Sequence, residues 1–157
     1  MTGARGHGPA PAEALLADFA RVIGRTMGWP PVAGRTAGVL MLGAEPMTAR
    51  QLRDEVGASA GAMSEVTRLL IDNGVVRRFK EPGARHFVYE WRPDAWAGCL
   101  EHQVRQVGEL RELAHRSAER GAGLPAPAGE RIRDMVAYYD VVADRLAALL
   151  AEYRAGR

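Results

Sequence analysis

The chain has little of several features that would place it in other classes of protein. Its 157 residues include one cysteine, Cys99, which excludes an internal disulfide framework and fits a reducing, cytoplasmic location. The longest apolar runs, such as that from Ala37 to Leu42, are far shorter than the ~20 residues of a bilayer-spanning helix. The N-terminal segment has no apolar signal-peptide core. We therefore expect a cytoplasmic protein.

Sequence motifs of catalysis are also missing. The chain contains no phosphate-binding loop, no Gly-x-Ser-x-Gly elbow and no His-Glu-x-x-His motif. Cys99 and His102 have the spacing of zinc ligands on a helix, but two ligands do not make a site, and His7, His86 and His115 are scattered. We expect no enzyme, no metal and no cofactor, and we favour a packed Cys99 over a redox switch.

The segment from Thr48 to Trp91 contains an ordered series of helix and strand signals. Thr48 and Gln51 form a capping box at the start of a short helix. Gly57 can end that helix, and Ser59 can cap the next one. The order predicts a helix-turn-helix.

The second helix of this pair is amphipathic. One side is apolar and predicts a buried face, made of Met63, Val66, Leu69 and Leu70. The other side is small and polar, with Ala60, Gly61, Ser64, Glu65 and Arg68. A helix with this division can pack on a core and still enter the major groove of DNA.

Two strands are predicted after the helices, at 75–80 and 86–91, with a turn at Pro82-Gly83 between them. Four cations stand on this hairpin against one nearby anion, Glu81: Arg77, Arg78, Lys80 and Arg85. Positive charge on a narrow hairpin suits contact with phosphates, and a guanidinium near its tip suits the minor groove. The hairpin is therefore predicted to be the wing of a winged helix-turn-helix.

Amphipathic helices are predicted on both sides of this module. One covers about 12–27, with apolar residues at helical spacing: Leu16, Phe19, Ile23 and Met27. A helix follows at about 31–42, and two long ones at about 94–120 and 128–154. The long helices have more apolar surface than a small module can cover, which predicts a homodimer. We expect a mobile tail at 1–11, a dimerisation helix at 12–29, a DNA-binding domain at 30–92 and a helical dimerisation region at 93–157.

The residues predicted to contact DNA lie on the second helix of the pair and on the wing. Small side chains at the start of the helix allow a close approach to the phosphates, and the polar side chains after them can reach bases or phosphates. The full set is Ser59, Ala60, Gly61, Ser64, Thr67, Arg68, Arg77, Arg78, Lys80 and Arg85.

From Pro30 to Trp91 the chain resembles the MarR-type transcriptional regulators. The positions that match the usual pattern are Ser59, Leu70, Gly74, Val75, Arg77, Gly83 and Arg85. Three short segments resemble the GbsR branch of that family: Gly28-Trp29-Pro30-Pro31, Gly34-Arg35 and Pro46-Met47-Thr48. The resemblance implies a mainly α winged helix-turn-helix with long flanking dimerisation helices. It also implies a repressor that binds a palindromic operator as a homodimer until a small-molecule effector loosens it.

Two other classes of function stay open. One is a winged-helix adaptor that binds proteins and not DNA, and the other is a ligand- or metal-sensing protein with weak DNA affinity. A broad positive surface across helix and wing would favour DNA, whereas an exposed apolar patch there would favour the adaptor. Four aromatic residues could line a pocket for an aromatic effector, although such residues more often serve core or dimer contacts: Trp29, Trp96, Tyr138 and Tyr139.

Overall fold

The computed structural model describes residues 11–157, so the mobile tail predicted at 1–11 lies, apart from Pro11, outside the described residues. The chain divides into two compact units, of which the first ends at Ala95 and the second is Trp96–Arg157. The fold is mainly helical, with one three-stranded antiparallel sheet. Within residues 11–157, none of the helices has the length and apolar character that crossing a membrane requires.

The elements follow the order predicted from the sequence. The first unit contains α1 (Pro11–Asp18), a π-helical turn (Phe19–Ile23), α2 (Gly24–Met27), α3 (Pro31–Leu42), β1 (Met47–Thr48), α4 (Ala49–Val56), α5 (Ala60–Asp72), β2 (Val76–Phe79) and β3 (Val88–Trp91). The second unit is formed by α6 (Ala95–Arg120) and α7 (Ala126–Ala155). The predicted winged helix-turn-helix architecture is confirmed.

The N-terminal helix differs from the regular helix predicted at about 12–27. A π-helical turn interrupts it and inserts extra backbone, which rotates every later residue around the helix axis. Leu16 precedes the turn and is buried as predicted. After the turn, Met27 is exposed and Gly24 is buried in its place. The turn lies where α3 comes closest, because a Cβ on Gly34 would stand 2.7 Å from the carbonyl oxygen of Phe19.

The core of the first unit forms where α3 meets the other helices and the sheet. α3 contributes a face of mostly small residues: Ala33, Gly34, Thr36, Ala37, Gly38, Val39 and Leu40. Leu52 of α4 and Leu70 of α5 are fully buried, and Met63 is nearly so. Small residues let the helix backbones approach closely, so this unit has an extensive core despite its size.

The helix-turn-helix is defined by its caps. Gln51 N donates to Thr48 Oγ1 (3.2 Å), and Thr48 N donates to Gln51 Oε1 (2.8 Å), which completes the predicted capping box. Gly57 ends α4 in the left-handed region at φ 70°. Ala62 N then donates to Ser59 Oγ (3.2 Å) and caps α5. These local bonds fix where α5 begins.

The sheet has the strand order β1-β3-β2, and both pairings are antiparallel. β2 and β3 are the predicted hairpin, with Arg77 opposite Glu90 and Phe79 opposite Val88. β1 is an additional strand that the sequence did not predict, because its two residues are too few to show an alternating pattern. It pairs with β3 and ties the start of α4 to the wing.

The second unit is an antiparallel pair of helices joined by ion pairs. Arg111 Nε donates to Asp140 Oδ1 (2.7 Å), and His115 Nε2 lies 2.8 Å from the same oxygen. Hydrogen bonding from His115 and then Arg111 lowers the pKa of Asp140. Several large apolar side chains of this unit are exposed, among them Leu113, Leu124, Tyr138, Val141 and Leu149.

Candidate nucleic-acid interface

Helix α5 presents the two faces predicted from its sequence. Met63, Val66 and Leu70 are buried. The opposite face is exposed and consists of Ser59, Ala60, Gly61, Ser64, Glu65 and Arg68. A Cβ built on Gly61 meets nothing within 4 Å, so the packing of the described chain does not require glycine there. The open space beside Gly61 leaves room for a molecule that approaches from outside.

Thr67 is the one predicted contact residue whose position argues against that role. Its side chain is 4% exposed, and its hydroxyl donates to the carbonyl oxygens of Met63 (2.9 Å) and Ser64 (3.2 Å). The helical wheel places Thr67 at the flank of α5, but Tyr89 and Val76 of β2 lie close to it, and this flank is largely covered. Thr67 therefore supports α5 from within and contributes little to the exposed surface.

An open groove of about 870 Å³ lies between α5 and the β-hairpin. The α5 wall includes Ser64, Arg68 and Ile71, and the hairpin wall includes Arg77 and Arg78. Pro93 and Asp94 close one end together with Arg92. The structure thus brings five residues of the predicted set to one concave surface: Ser64, Thr67, Arg68, Arg77 and Arg78. With Arg92, the surface is lined by four arginines. The other predicted residues do not line it: Ser59, Ala60, Gly61, Lys80 and Arg85.

Two of these arginines are paired with carboxylates. Arg77 forms an ion pair with Glu90 directly across the sheet, and Arg92 grips Asp94 with two hydrogen bonds of 2.9 and 2.7 Å. From the sequence, Glu81 is the anion expected beside the wing cations; Glu90 is not predicted as a partner, because its position opposite Arg77 depends on strand register. Among the described residues, no carboxylate lies within ion-pair distance of Arg68 or Arg78. The charge available to a bound anion is therefore concentrated on these two side chains.

The wing tip carries the remaining predicted residues. Gly83 turns the chain at φ 80°, a conformation that glycine adopts without strain. Arg85 is exposed just beyond this turn. Lys80 is also exposed, and its ammonium group lies 5.1 Å from the centroid of the Phe87 ring. Arg78 of the groove lies against the same ring, with its guanidinium carbon 4.3 Å from the centroid, so Lys80 extends the positive charge of the groove towards the tip.

Sequence reasoning missed three cations near this surface. Arg50 and Arg53 of α4 line a hollow of about 220 Å³ beside the first turn of α5, together with Ala60 and Ser64. Arg92 lies in the main groove. Arg50 and Arg53 are three residues apart on the first helix of the pair, the helix that crosses the DNA backbone in such motifs, and this spacing could have identified them.

The other residues considered from the sequence are the possible metal ligands, Cys99 and the aromatic residues. Within residues 11–157, no three His, Cys, Asp or Glu side chains come close enough to hold a metal ion together; His7 lies outside the described residues. Cys99 is half-buried, and its sulfur accepts a weak contact from Gln103 Nε2 at 3.9 Å. Tyr138 and Tyr139 contact each other edge to face, with ring centroids 5.0 Å apart.

Known regulators match both parts of the chain. Residues 94–156 match the family model described as MmpR5-like MarR family transcriptional regulator. The regulator MmpR5 of Mycobacterium tuberculosis is 29% identical over 133 residues, which cover 82% of this chain and 75% of MmpR5. The repressor OpcR of Bacillus subtilis is 33% identical over 69 residues, 44% of this chain and 37% of OpcR. YvaV of the same organism, a putative regulator by name, is 33% identical over 67 residues, 43% of this chain and 38% of YvaV.

A solved structure supports the fold independently. The crystal structure of a transcriptional regulator superposes with a TM-score of 0.84 at 23% identity, covering 92% of this chain and 99% of the other. At that identity the likeness concerns the fold alone. The family model and the curated relatives are described as transcriptional regulators or repressors. In sequence and in fold, the chain is therefore similar to transcriptional regulators of the MarR-like winged helix-turn-helix family.

Proposed function

We propose that this protein is a MarR-like transcriptional regulator that represses transcription by binding a palindromic operator as a homodimer. Helix α5 of each protomer would lie in the major groove, and each wing would reach the neighbouring minor groove. Two half-sites about 10 bp apart are expected, since the recognition helices of a dimer enter successive turns of the same face of DNA.

The observation that carries this proposal is the arginine-lined groove between α5 and the hairpin. Small residues at the start of α5 allow the backbone amides to approach phosphates, and the Ser59 cap fixes the first turn. Ser64 and Arg68 follow on the exposed face, where they can reach base edges. The described residues on this exposed face are small or polar, whereas an adaptor would need large apolar side chains there.

The wing residues have separate proposed roles. Arg85 enters the minor groove, where the negative potential is strongest. Arg78 and Lys80 contact phosphates. Arg77 contributes less, because Glu90 already neutralises part of its charge and holds it against the sheet. Ser59, Ala60 and Gly61 allow the approach and do not read bases themselves.

Homodimerisation is supported by the exposed apolar side chains of the second unit. We assign contact between the two protomers to the helical region at 93–157 together with the N-terminal helix at 12–29. We assign DNA binding to 30–92. The segments Gly28–Pro31 and Gly34-Arg35 support a place in the GbsR branch, and the resemblance to MarR-type regulators supports relief of repression by a small-molecule effector.

The test is selection of DNA by the purified protein from a random pool, followed by binding titrations on the selected duplex. Substituting both reading residues, Ser64→Ala with Arg68→Ala, should remove most of the preference for that duplex. Each base-reading contact is expected to account for about 1–3 kcal/mol of discrimination. Arg68→Ala alone should also make the salt slope shallower by about one.

The matched control is Arg68→Lys. It keeps the positive charge but loses the planar fork that recognises a base edge with two hydrogen bonds. We expect it to retain the salt slope while losing sequence preference. If Ser64→Ala with Arg68→Ala still selects the same palindrome, α5 does not read the bases. If the unmodified protein selects no duplex from the pool, the adaptor becomes the better explanation.

A further inference from the structure

The wing carries one exposed aromatic ring that the proposed DNA contacts do not use. Phe87 is 44% exposed, whereas Tyr89, two residues further on, is buried in the core. Phe79 pairs with Val88 in the antiparallel register, so the next step along the hairpin places Lys80 opposite Phe87 and Arg78 diagonally across from it. Side chains at these positions share one face of the hairpin.

Both cations lie against this ring. The guanidinium carbon of Arg78 is 4.3 Å from the centroid of Phe87, and Lys80 Nζ is 5.1 Å from it. Both distances are within the ~6 Å at which an aromatic face attracts a cation. A cation that rests on a ring keeps its outer side open to a phosphate and has less side-chain freedom left to lose on binding.

We propose that Phe87 is a positioning residue for DNA binding, which holds Arg78 and Lys80 together on one face of the wing to contact successive phosphates. The inference rests on the proposed function, because it assumes that the wing meets DNA. Phe87 acts through the two cations and not by contact with the bases. Arg77 needs no such support, since Glu90 fixes it on the opposite face.

Binding of a labelled random-sequence duplex of about 30 bp tests the role of the ring. Phe87→Leu keeps an apolar side chain of similar size but removes the aromatic face. It should weaken binding about 3- to 10-fold, given the strength of exposed cation–aromatic contacts. Phe87→Trp should bind at least as tightly as the unmodified protein. In an Arg78→Ala, Lys80→Ala background, Phe87→Leu should cause no further loss.

A spectroscopic measurement tests the geometry without DNA. Lys80 is the only lysine of the chain, so selective carbon-13 labelling of lysine gives one set of side-chain signals. In the unmodified protein, the ring current of Phe87 should shift the Lys80 methylene signals away from their random-coil positions. Phe87→Leu should return them towards those positions, and Phe87→Trp should preserve or increase the shift.

The matched control is Phe79→Leu, which removes the aromatic ring that lies beside Arg77 on the wing. That ring lies 5.3 Å from Arg77, which Glu90 already holds, so duplex affinity should change less than twofold. Thermal unfolding of each variant separates loss of binding from loss of fold. If Phe87→Leu does not fold, Phe87→Trp is the variant that tests the inference. A folded Phe87→Trp protein that binds the duplex more weakly than the unmodified protein overturns the inference.

The possible results distinguish failure of this inference from failure of the proposed function on which it rests. If the unmodified protein binds the duplex and Phe87→Leu binds equally well, the inference is wrong and the proposed function stands. Random-coil Lys80 signals in the unmodified protein, or an undiminished effect of Phe87→Leu in the Arg78→Ala, Lys80→Ala background, also overturn it. If the unmodified protein binds no duplex at all, the proposed function fails and the inference fails with it.

Discussion

The two compact units of the chain use their apolar side chains differently. In the first unit Leu52, Met63 and Leu70 are at most 1% exposed and belong to a continuous core. In the described part of the second unit, the buried apolar side chains are the alanines Ala97 and Ala114, while Val141 is 62% exposed. The first unit can therefore be stabilised by its own packing, whereas the second unit exposes apolar surface that the proposed second protomer would cover.

The largest expected effect comes from placing charge on the exposed apolar face of α7. Val141→Glu with Leu149→Glu should convert a homodimer into a monomer. In a dimer of this variant, each protomer would bury two carboxylates without partners against the other protomer. Sedimentation velocity at micromolar concentration measures this. Ala147→Glu is the matched control: Ala147 is exposed but lies on another face of the helix, so that variant should stay dimeric.

Either of two results would contradict this division. A Val141→Glu, Leu149→Glu protein that sediments as a dimer would place the subunit contact elsewhere. A stable monomer formed by the unmodified protein at the same concentration would remove the homodimer from the account altogether.

The next effect is a smaller loss of stability, and its dependence on protein concentration distinguishes a residue of the core from a residue of the proposed interface. Leu70→Ala should cost about 2–5 kcal/mol of unfolding free energy, because it empties a fully buried position. Leu149→Ala should lower the unfolding midpoint by an amount that varies with protein concentration, since its contact forms between subunits. Urea unfolding at two concentrations measures both. An equal, concentration-independent cost for Leu149→Ala would mean that the second unit has a core of its own.

The smallest expected effect concerns one paired carboxylate in each unit. Arg35 donates to both carboxylate oxygens of Glu13 (2.9 and 3.1 Å) and lowers its pKa, and the pKa of Asp140 is lowered by His115 and Arg111. A depressed folded-state pKa contributes stability above the unfolded-state pKa, and that contribution is lost as the pH falls through the folded-state value.

Glu13→Gln and Asp140→Asn should therefore each lower the unfolding temperature slightly at pH 7. The differences from the unmodified protein should shrink below about pH 4, where the unfolded-state carboxylates become protonated. Thermal unfolding between pH 3 and pH 7, at about one-unit steps, gives the comparison. A difference that grows on acidification would contradict the ion-pair explanation.

Local signals made most of the winged helix-turn-helix predictable. The Thr48 and Ser59 caps, the Gly57 turn and the apolar face of α5 depend on residues a few positions apart, and all have the predicted geometry. The π-helical turn was not predictable, because it coincides with the close approach of Gly34, a residue distant in sequence. It moved Met27 off the predicted buried face.

The candidate site was less predictable than the fold, for a related reason. Sequence spacing identified the exposed face of α5 and the wing cations, but it could not show which cations have partners. The Arg77–Glu90 pair depends on strand register, and the burial of Thr67 depends on how the sheet packs against α5. Arg92 directly follows β3 and lines the groove. The periodicity of the sequence does not predict this position, because Arg92 lies outside the regular strand.

Native mass spectrometry of the protein with its selected duplex tests the central claim most directly, namely that 30–92 binds DNA and the helices on both sides of it join two protomers. The account predicts two chains per duplex for the unmodified protein. Ser64→Ala with Arg68→Ala should remain a dimer that no longer prefers this duplex, and Val141→Glu with Leu149→Glu should leave at most one weakly bound chain. A single unmodified chain that saturates the full palindrome would contradict the account.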